Sequence, residues 1–336
     1  MKFLGPWVSI QFVWRWSRPA VLCFCLFIFP VFDAGAQSWP SRPIRLVVPF
    51  APGGSADVLG RLIAAALTDS LGQKVYVENL PGAGGLIGIA QVARAEPDGY
   101  SLVVSSFGAL AVAPQMNANV EYDPINDFAH IAYLGGSPTS FIVNSALDIR
   151  TLDDLIARAR RDRQPIAFGS AGHGSLGHLV ATFFGQKAGV PTEHVPYRGS
   201  GPVVTDVMAG HLRLGSISLA TALGQTRAGN VRLLAISAQQ RIAEFSEVPT
   251  LIELGFPELE VTSWFAISGP AGMSEEIVQR LNRETVKVLR HPEMQKRLEL
   301  EAFEIKFMDS NAFTNFVKSQ IARWAPIAKS ALATKN

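Results

Sequence analysis

The chain has 336 residues, 48% of them apolar, with 30 Lys and Arg against 28 Asp and Glu. A near-neutral balance argues against nucleic acid and other polyanionic partners, and the length suffices for two ordinary domains. Both cysteines, Cys23 and Cys25, lie close to the N-terminus, so the rest of the chain is stabilised by its core and not by disulfides.

The first element is a leader. Lys2, Arg15 and Arg18 make an extended basic region, "AVLCFCLFIFPVF" (Ala20 to Phe32) is a short apolar run, and "AGA" at Ala34 to Ala36 is a small-x-small cleavage site. These features predict a secretory signal peptide over residues 1–36, cut before Gln37. The apolar run is short for a membrane span of about 20 residues. Leu22 and Phe24, which precede the cysteines, are too large for a lipoprotein signal. Cleavage removes both cysteines with Lys2, Arg15, Arg18 and Asp33, so the exported chain has no net charge, no thiol nucleophile and no thiolate metal ligand.

Next comes "IRLVVPFAPGGSADVLGRL" (Ile44 to Leu62). Ile44 to Pro49 reads as a strand buried on both faces. Gly53 and Gly54 permit a sharp turn, Ser55 is a good helix cap, and Asp57 complements the helix dipole. Apolar residues recur on one helix face from Val58 to Leu71, and Gly72 supplies the stop. A helix start of this kind presents N–H groups to an anion, but the Gly-Lys-Ser/Thr of a nucleotide P-loop is missing. A strand (Lys74 to Asn79), a glycine loop (Leu80 to Gly85), a helix (Leu86 to Ala95) and a strand (Tyr100 to Ser106) follow. This is the β-α-β-α-β order of a parallel sheet.

A second series starts near Phe141. Thr151 with Asp154 opens a helix through Arg161, and "PIAFGS" (Pro165 to Ser170) is a strand. Ser175 to Ala188 is a helix, "EHVPY" (Glu193 to Tyr197) a strand, and "GSGPVVTDVMAGH" (Gly199 to His211) a helix. "LRLGSIS" (Leu212 to Ser218), "LATALGQTRAG" (Leu219 to Gly229) and "VRLLAIS" (Val231 to Ser237) read as strand, helix and strand. "LEVTSWFAISGP" (Leu259 to Pro270) is a strand. Ser274 then caps a helix that Pro292 breaks, and a last helix runs from about Asn311 to Ala331. The two series share a plan, which suggests two similar lobes.

Three loops after strands are rich in glycine and serine and hold no Lys or Arg: Ala51 to Asp57, Pro81 to Gly85 and Gly169 to His178. Loops at the carboxyl ends of strands are where open α/β sheets bind ligands, and these suit small carboxylates better than phosphates. "GAGGLIG" (Gly82 to Gly88) only partly matches a dinucleotide fingerprint, because "YSLVVSS" ends in serines where an acid is expected. "HGSLG" (His173 to Gly177) is one residue away from a nucleophile elbow. It keeps one alternative open, a secreted α/β serine hydrolase using Ser175. The six histidines form no HExxH pattern, and His173 and His178 share a helix face poorly.

Together, "RPIRLVVPFAPGGSADVLGRL", "VYVENLPGAGGLIG", "EPDGYSLVVSS", "YDPINDFAHIA", "HVPYRGSGPVVTDVMAGH", "VPTLIELGF" and "SWFAISGPAG" resemble, in order and spacing, the periplasmic solute receptors of tripartite tricarboxylate transporters, the Bug receptor family. The resemblance covers nearly the whole exported chain. It implies an α/β fold of two doubly wound lobes joined by a hinge, like a type II periplasmic binding protein, with the ligand in the interlobe cleft. Lobe 1 would comprise 37–139 and 262–336 and lobe 2 140–261, with crossings near Ser137 to Asn144 and Leu259 to Ile267. Such a receptor is not an enzyme and needs no cofactor or metal. It captures a small organic acid or related carboxylate as a monomer and serves a membrane permease, or in some members a sensor. The implied contacts are Ala51, Pro52, Gly53, Gly54, Ser55 and Asp57, then Gly82, Ala83, Gly84 and Ser106. In the second lobe they are Ser170, Ala171, Gly172, His173, Gly174 and Ser175. One departure stands out: where the family usually has an acidic "FD" stretch, this chain reads "GSISLA", with Ile217 in place of the Asp. That makes an amino-acid ligand less favoured than a plain organic acid or amide.

Overall fold

Ile44, Leu46, Val47 and Val48 are all fully buried in the computed structural model, which describes residues 39–117 and 119–333. Their strand, β1 (Ile44–Val48), is covered on both faces, which is why its sequence shows no alternation. The expected signal peptide lies outside the described residues. Helix α1 (Ser55–Leu71) ends at Gly72, whose φ of 69° closes the last turn on the Thr68 carbonyl. Strand β2 (Val75–Asn79), helix α2 (Leu86–Ala93) and strand β3 (Ser101–Ser106) follow. Both β2 and β3 run parallel to β1.

After β3 the chain makes a π-helical turn over Gly108–Val112 and a short helix, α3 (Ala113–Met116). It then enters β4 (Phe128–Asn144), a strand of 17 residues. The sequence reading starts the second series only near Phe141 and misses most of this strand. Gly135, Gly136 and Pro138 interrupt its pattern, and its pairing with the late strand β9 (Thr262–Pro270) slips twice, between His130 and Ala132 and between Tyr133 and Gly135. Pro138 sits where the strand changes partner. Residues up to Pro138 pair with β9, and those from Thr139 onward pair with β7 (Leu214–Ser218) and β8 (Val231–Ile236).

The second series runs α4 (Leu152–Asp162), β5 (Ile166–Ser170), α5 (Leu176–Ala188), β6 (Thr192–Pro196), α6 (Ser200–Met208), β7 (Leu214–Ser218), α7 (Leu219–Arg227) and β8 (Val231–Ile236). Thr151 and Asp154 form the reciprocal cap read from the sequence. Strands β6 and β7 lie parallel to β5, as β2 and β3 lie parallel to β1. An antiparallel strand then joins each trio, β9 beside β3 and β4 beside β7. The result is a mixed sheet in the order β2-β1-β3-β9-β4-β7-β5-β6, with β8 on β4. The two halves thus repeat one plan, and β4 is shared between them.

Helices α8 (Glu275–Arg290), α9 (Pro292–Leu300) and α10 (Ser310–Ala333) close the first half. Pro292 ends α8 as expected and becomes the first residue of α9. Phe313, Val317 and Trp324 of α10 are buried. Phe107 meets Trp324 and Trp264 edge to face, with ring centroids 5.6 and 6.0 Å apart. This cluster fixes the end of β3, where the candidate site begins. Among the described residues no helix is long and apolar enough to cross a membrane.

Candidate functional site

The turn after β1 uses its two glycines for different reasons. Gly53 has φ +83°, with nothing near a would-be Cβ, so its requirement is conformational. Gly54 has φ −87° and is the N-cap of α1. A Cβ there would sit 3.6 Å from the Ser200 amide nitrogen and 3.7 Å from that of Gly201. Only Gly53 takes the left-handed conformation; Gly54 is where the second half of the molecule comes close.

Asp57 is buried and turns back on the loop. It accepts from the Gly53 N–H at 3.1 Å and from Asn79 at 2.9 Å, and it pairs with Arg61. Burial, the largest single influence, pushes its carboxyl up, but the bonds from Arg61, Asn79 and Gly53 together bring it below the ordinary Asp value. Asp57 therefore holds the turn in shape. The Ala51 N–H donates to the Arg198 carbonyl at 2.8 Å and the Ser55 N–H to Thr221 Oγ1 at 2.9 Å, so this turn also ties the halves together.

The other two glycine loops meet each other. A Cβ on Gly84 would lie 2.0 Å from the His173 carbonyl oxygen, and one on Gly172 would lie 2.8 Å from Gly84 Cα. Gly84 also has φ +70°. A Cβ on Gly108, at the start of the π turn, would lie 3.1 Å from both Gly174 O and Ser175 Cα, a tight contact. Below this contact, Ser170 Oγ receives a bond from Ser175 Oγ at 3.1 Å and lies 2.7 Å from His194 Nε2. Ser175 caps α5 by accepting from the His178 N–H.

Between the halves lies a cavity of about 40 Å³, room for more than one water molecule at about 10–15 Å³ each. Four helices begin on its wall. Gly54, Ser55 and Ala56 open α1, Ser175 and Gly177 open α5, Ser200 opens α6, and Ser218 stands at the N-cap position of α7 without a side-chain cap bond. Each helix start carries roughly half a positive charge, so together they offer on the order of two. Hydroxyls of Ser106, Thr139, Ser216 and Ser263 line the remainder with Phe50, Phe265 and Ile217. No Lys, Arg, His, Asp or Glu is among the described lining residues. Ser218 Oγ is buried and makes no hydrogen bond among the described residues.

Of the residues expected at the site, Gly54, Ser55, Ser106, Ala171 and Ser175 line this cavity. Pro52 and Gly53 line a shallower cleft beside it with Tyr197 and Thr221, and Ala83 faces a groove on the other side of the glycine loop. Ala51, Asp57, Gly82, Gly84, Ser170, Gly172, His173 and Gly174 are not on the cavity wall; Ala51, Asp57, Gly84, Ser170, Gly172 and Gly174 tie or pack the loops around it. Sequence reasoning missed Thr139, Ser200, Ser216, Ser218 and Ser263. Four of these follow from one rule, because they lie at or near strand ends and helix starts.

The nucleophile-elbow resemblance has a structural explanation. Gly177 packs the first turn of α5 on β7, where a Cβ would lie 1.9 Å from the Ser216 carbonyl oxygen. Ser175 Oγ bonds to Ser170 and to a backbone N–H, and the imidazole nearest this chain contacts Ser170, which is wholly buried. The histidines also behave differently from their spacing. Tertiary structure brings His173 and His178 together with His194.

A family model described as the tripartite tricarboxylate transporter family receptor matches residues 59–332. Protein BugT of Bordetella pertussis is 36% identical over 300 residues, spanning 88% of this chain and 90% of that protein. An R. palustris protein solved with adipate superposes with a TM-score of 0.83 at 33% identity, over 87% of this chain and 98% of that one. The periplasmic binding protein BugD gives 0.83 at 31% identity over 87% and 98%. MatC from Rhodopseudomonas palustris, with bound malate, gives 0.82 at 28% over 86% and 99%.

Proposed function

The chain belongs to the tripartite tricarboxylate transporter receptor family, and from that premise we propose that it captures a small carboxylate in the cavity between its halves and delivers it to membrane components of a tripartite transporter. The observation that carries this reading is the meeting of four helix N-termini on one hydroxyl-lined cavity without a charged side chain. Such a site stabilises an anion through fixed dipoles, which need no counter-ion and no reorganisation. Their combined charge suits an acid carrying one or two carboxylates. Adipate and malate, bound in two of the similar structures, are both of that class.

Ile217 bears on the ligand's other groups. It is buried on the cavity wall, so no acid there faces an ammonium. This supports a plain organic acid over an amino acid. In this reading residues 1–36 export the chain to the periplasm, where it acts as a monomer and carries out no catalysis. The lobes are assigned as 37–139 with 262–336, and 140–261, and they hinge where β4 and β9 cross. The loop residues Ala51 to Asp57, Gly82 to Gly84 and Ser170 to Ser175 hold or shape the cavity, with Ser106 on its wall. A sensor in place of the permease is the alternative partner.

The test is a thermal-shift screen of the exported chain against mono-, di- and tricarboxylates and their amides, run beside a p-nitrophenyl ester assay. A saturable rise in melting temperature with one acid class, confirmed by calorimetry, is expected, with no ester turnover. Ester hydrolysis that disappears in Ser175→Ala, without any carboxylate shift, would overturn the receptor reading.

A further inference from the structure

Three histidines that are scattered in the sequence meet at the third glycine loop, the one after β5. His173 lies in the loop after β5, His178 in the first turn of α5 and His194 in β6. One ring nitrogen from each lies within 4.8 Å of the other two. The His178 and His194 rings are stacked, with centroids 3.9 Å apart and planes 14° from parallel. His173 stands edge-on to both, at 5.5 and 4.9 Å. From this geometry we propose that His173, His178 and His194 bind one divalent transition-metal ion of the zinc class, at a site separate from the carboxylate cavity but connected to it.

Imidazole nitrogens without carboxylates suit zinc, nickel or copper and not calcium or magnesium. Metal–nitrogen distances of about 2.0–2.1 Å place tetrahedral ligands about 3.4 Å apart. The set must therefore contract, and its members differ in how they can do so. His173 is exposed and sits between Gly172 (φ +128°) and Gly174 (φ +74°), so its ring can swing toward the other two. His194 is anchored by its Nε2 to Ser170 Oγ at 2.7 Å, so in the proposed site it ligates through Nδ1. Outer hydrogen bonds of this kind orient metal-bound histidines generally. His178 Nδ1 accepts from the Gly174 N–H at 3.2 Å. Ligation through Nε2 shifts that ring's proton to Nδ1, gives up this long bond and tilts the ring out of its stack. Three imidazoles leave a fourth position for water or an outside ligand.

The connection to the cavity is a single side chain. Ser170 Oγ bonds both His194 and Ser175, and Ser175 is on the cavity wall. An ion that fixes His194 therefore also fixes Ser170, the loop and the cap of α5.

The experiment uses the exported chain without a polyhistidine tag, stripped with chelator. It is titrated with zinc chloride by calorimetry and with cobalt chloride by visible absorption. One ion per chain is expected, with the cobalt bands of a four-coordinate nitrogen site. His173→Ala is expected to weaken zinc binding roughly tenfold or more while leaving the metal-free melting temperature unchanged, because His173 is exposed. His211→Ala alters another exposed histidine, 3.8 Å from Asp206, and is expected to leave binding as it was. The absence of saturable binding overturns the proposal. So does unchanged affinity in His173→Ala, or a loss in His211→Ala.

Discussion

At the scale of the residue, two side chains separate holding the ligand from holding the fold. Ser218 Oγ is buried on the cavity wall and makes no bond to the described protein, so its hydroxyl is available to a captured carboxylate. Ser218→Ala is expected to lose about 1.5–3 kcal/mol of binding, or roughly 10- to 100-fold, with the unliganded melting temperature unchanged. Calorimetry beside a melting curve checks this, and equal affinity in the variant removes Ser218 from the site. Asp57 is the opposite case. Its folded pKa lies below its ordinary value of 3.8, so its contribution is complete above that value and is lost as pH falls through the folded pKa. Asp57→Asn is expected to cost about 1.5–3 kcal/mol at neutral pH and nothing in strong acid. Urea unfolding at pH 7 and near pH 2 shows the difference. The sharp turn was legible in the sequence, because left-handed backbone at Gly53 is a local property, whereas the cap was misplaced: Gly54, not Ser55, is the N-cap of α1, and no side chain caps it. That Gly54 stays bare to admit Ser200 and Gly201 was not legible, since its neighbours are remote in the chain.

At the scale of the element, strand β4 carries a buried titratable group. His130 is nearly inaccessible, with its ring 3.0 Å from the Pro124 carbonyl and 3.3 Å from Ser268 Oγ. Burial pushes its pKa down to about 4 from 6.5. The unfolded chain takes up this proton below about pH 6.5 and the folded chain only near 4. Stability is therefore full above 6.5 and declines as pH falls through that window, by about 3 kcal/mol at about 1.4 kcal/mol per unit. His130→Gln is expected to flatten this part of the profile relative to the parent, measured by urea unfolding at several pH values from 7 to 4. An unaltered slope assigns the loss to other groups. The same strand shows where sequence reading fails. The βα units were read nearly to their ends because caps, stops and apolar runs lie within a few residues. Most of β4 was missed because Pro138 and a glycine pair break its pattern, and what makes them tolerable is a change of partner strand. The π turn after β3 has no local signature either. It is set by packing of Phe107 and Leu110 beneath α10.

At the scale of the whole molecule, the halves touch through bare backbone. Gly84 against His173 and Gly172 is the tightest such contact. A methyl group on Gly84 keeps the halves apart as well as straining a left-handed residue. Gly84→Ala is expected to bind the best carboxylate of the screen at least about tenfold more weakly, with about 1 kcal/mol lost from the unliganded fold. Small-angle scattering should then show a larger radius for the liganded variant than for the liganded parent. Identical radii and affinity would falsify the backbone-contact account of closure. Two lobes of one plan were visible in the order of elements, but the route between them was only bracketed, near Ser137 to Asn144 and Leu259 to Ile267. The structure puts the change of partner at Pro138 and Thr139.

Strand β9 lies between β3 and β4 in the first half, yet the chain reaches it only after the entire second half. During synthesis, β1, β2 and β3 are present early with one edge of β3 uncovered. The later part of β4 and β5 to β8 are contiguous in sequence and can pair with one another as soon as they are made. The half that is born second is therefore the first that can finish, and the first-born half waits with the β9 side of β3, from Val103 to Ser106, uncovered. Pulse-labelled hydrogen exchange during refolding should find amides of β5 and β7 protected before those of β3. The reverse order would mean that β3 is covered by something other than β9 in the interval. An uncovered apolar strand edge of this kind is prone to aggregate until its partner arrives, and here the partner is a single late strand.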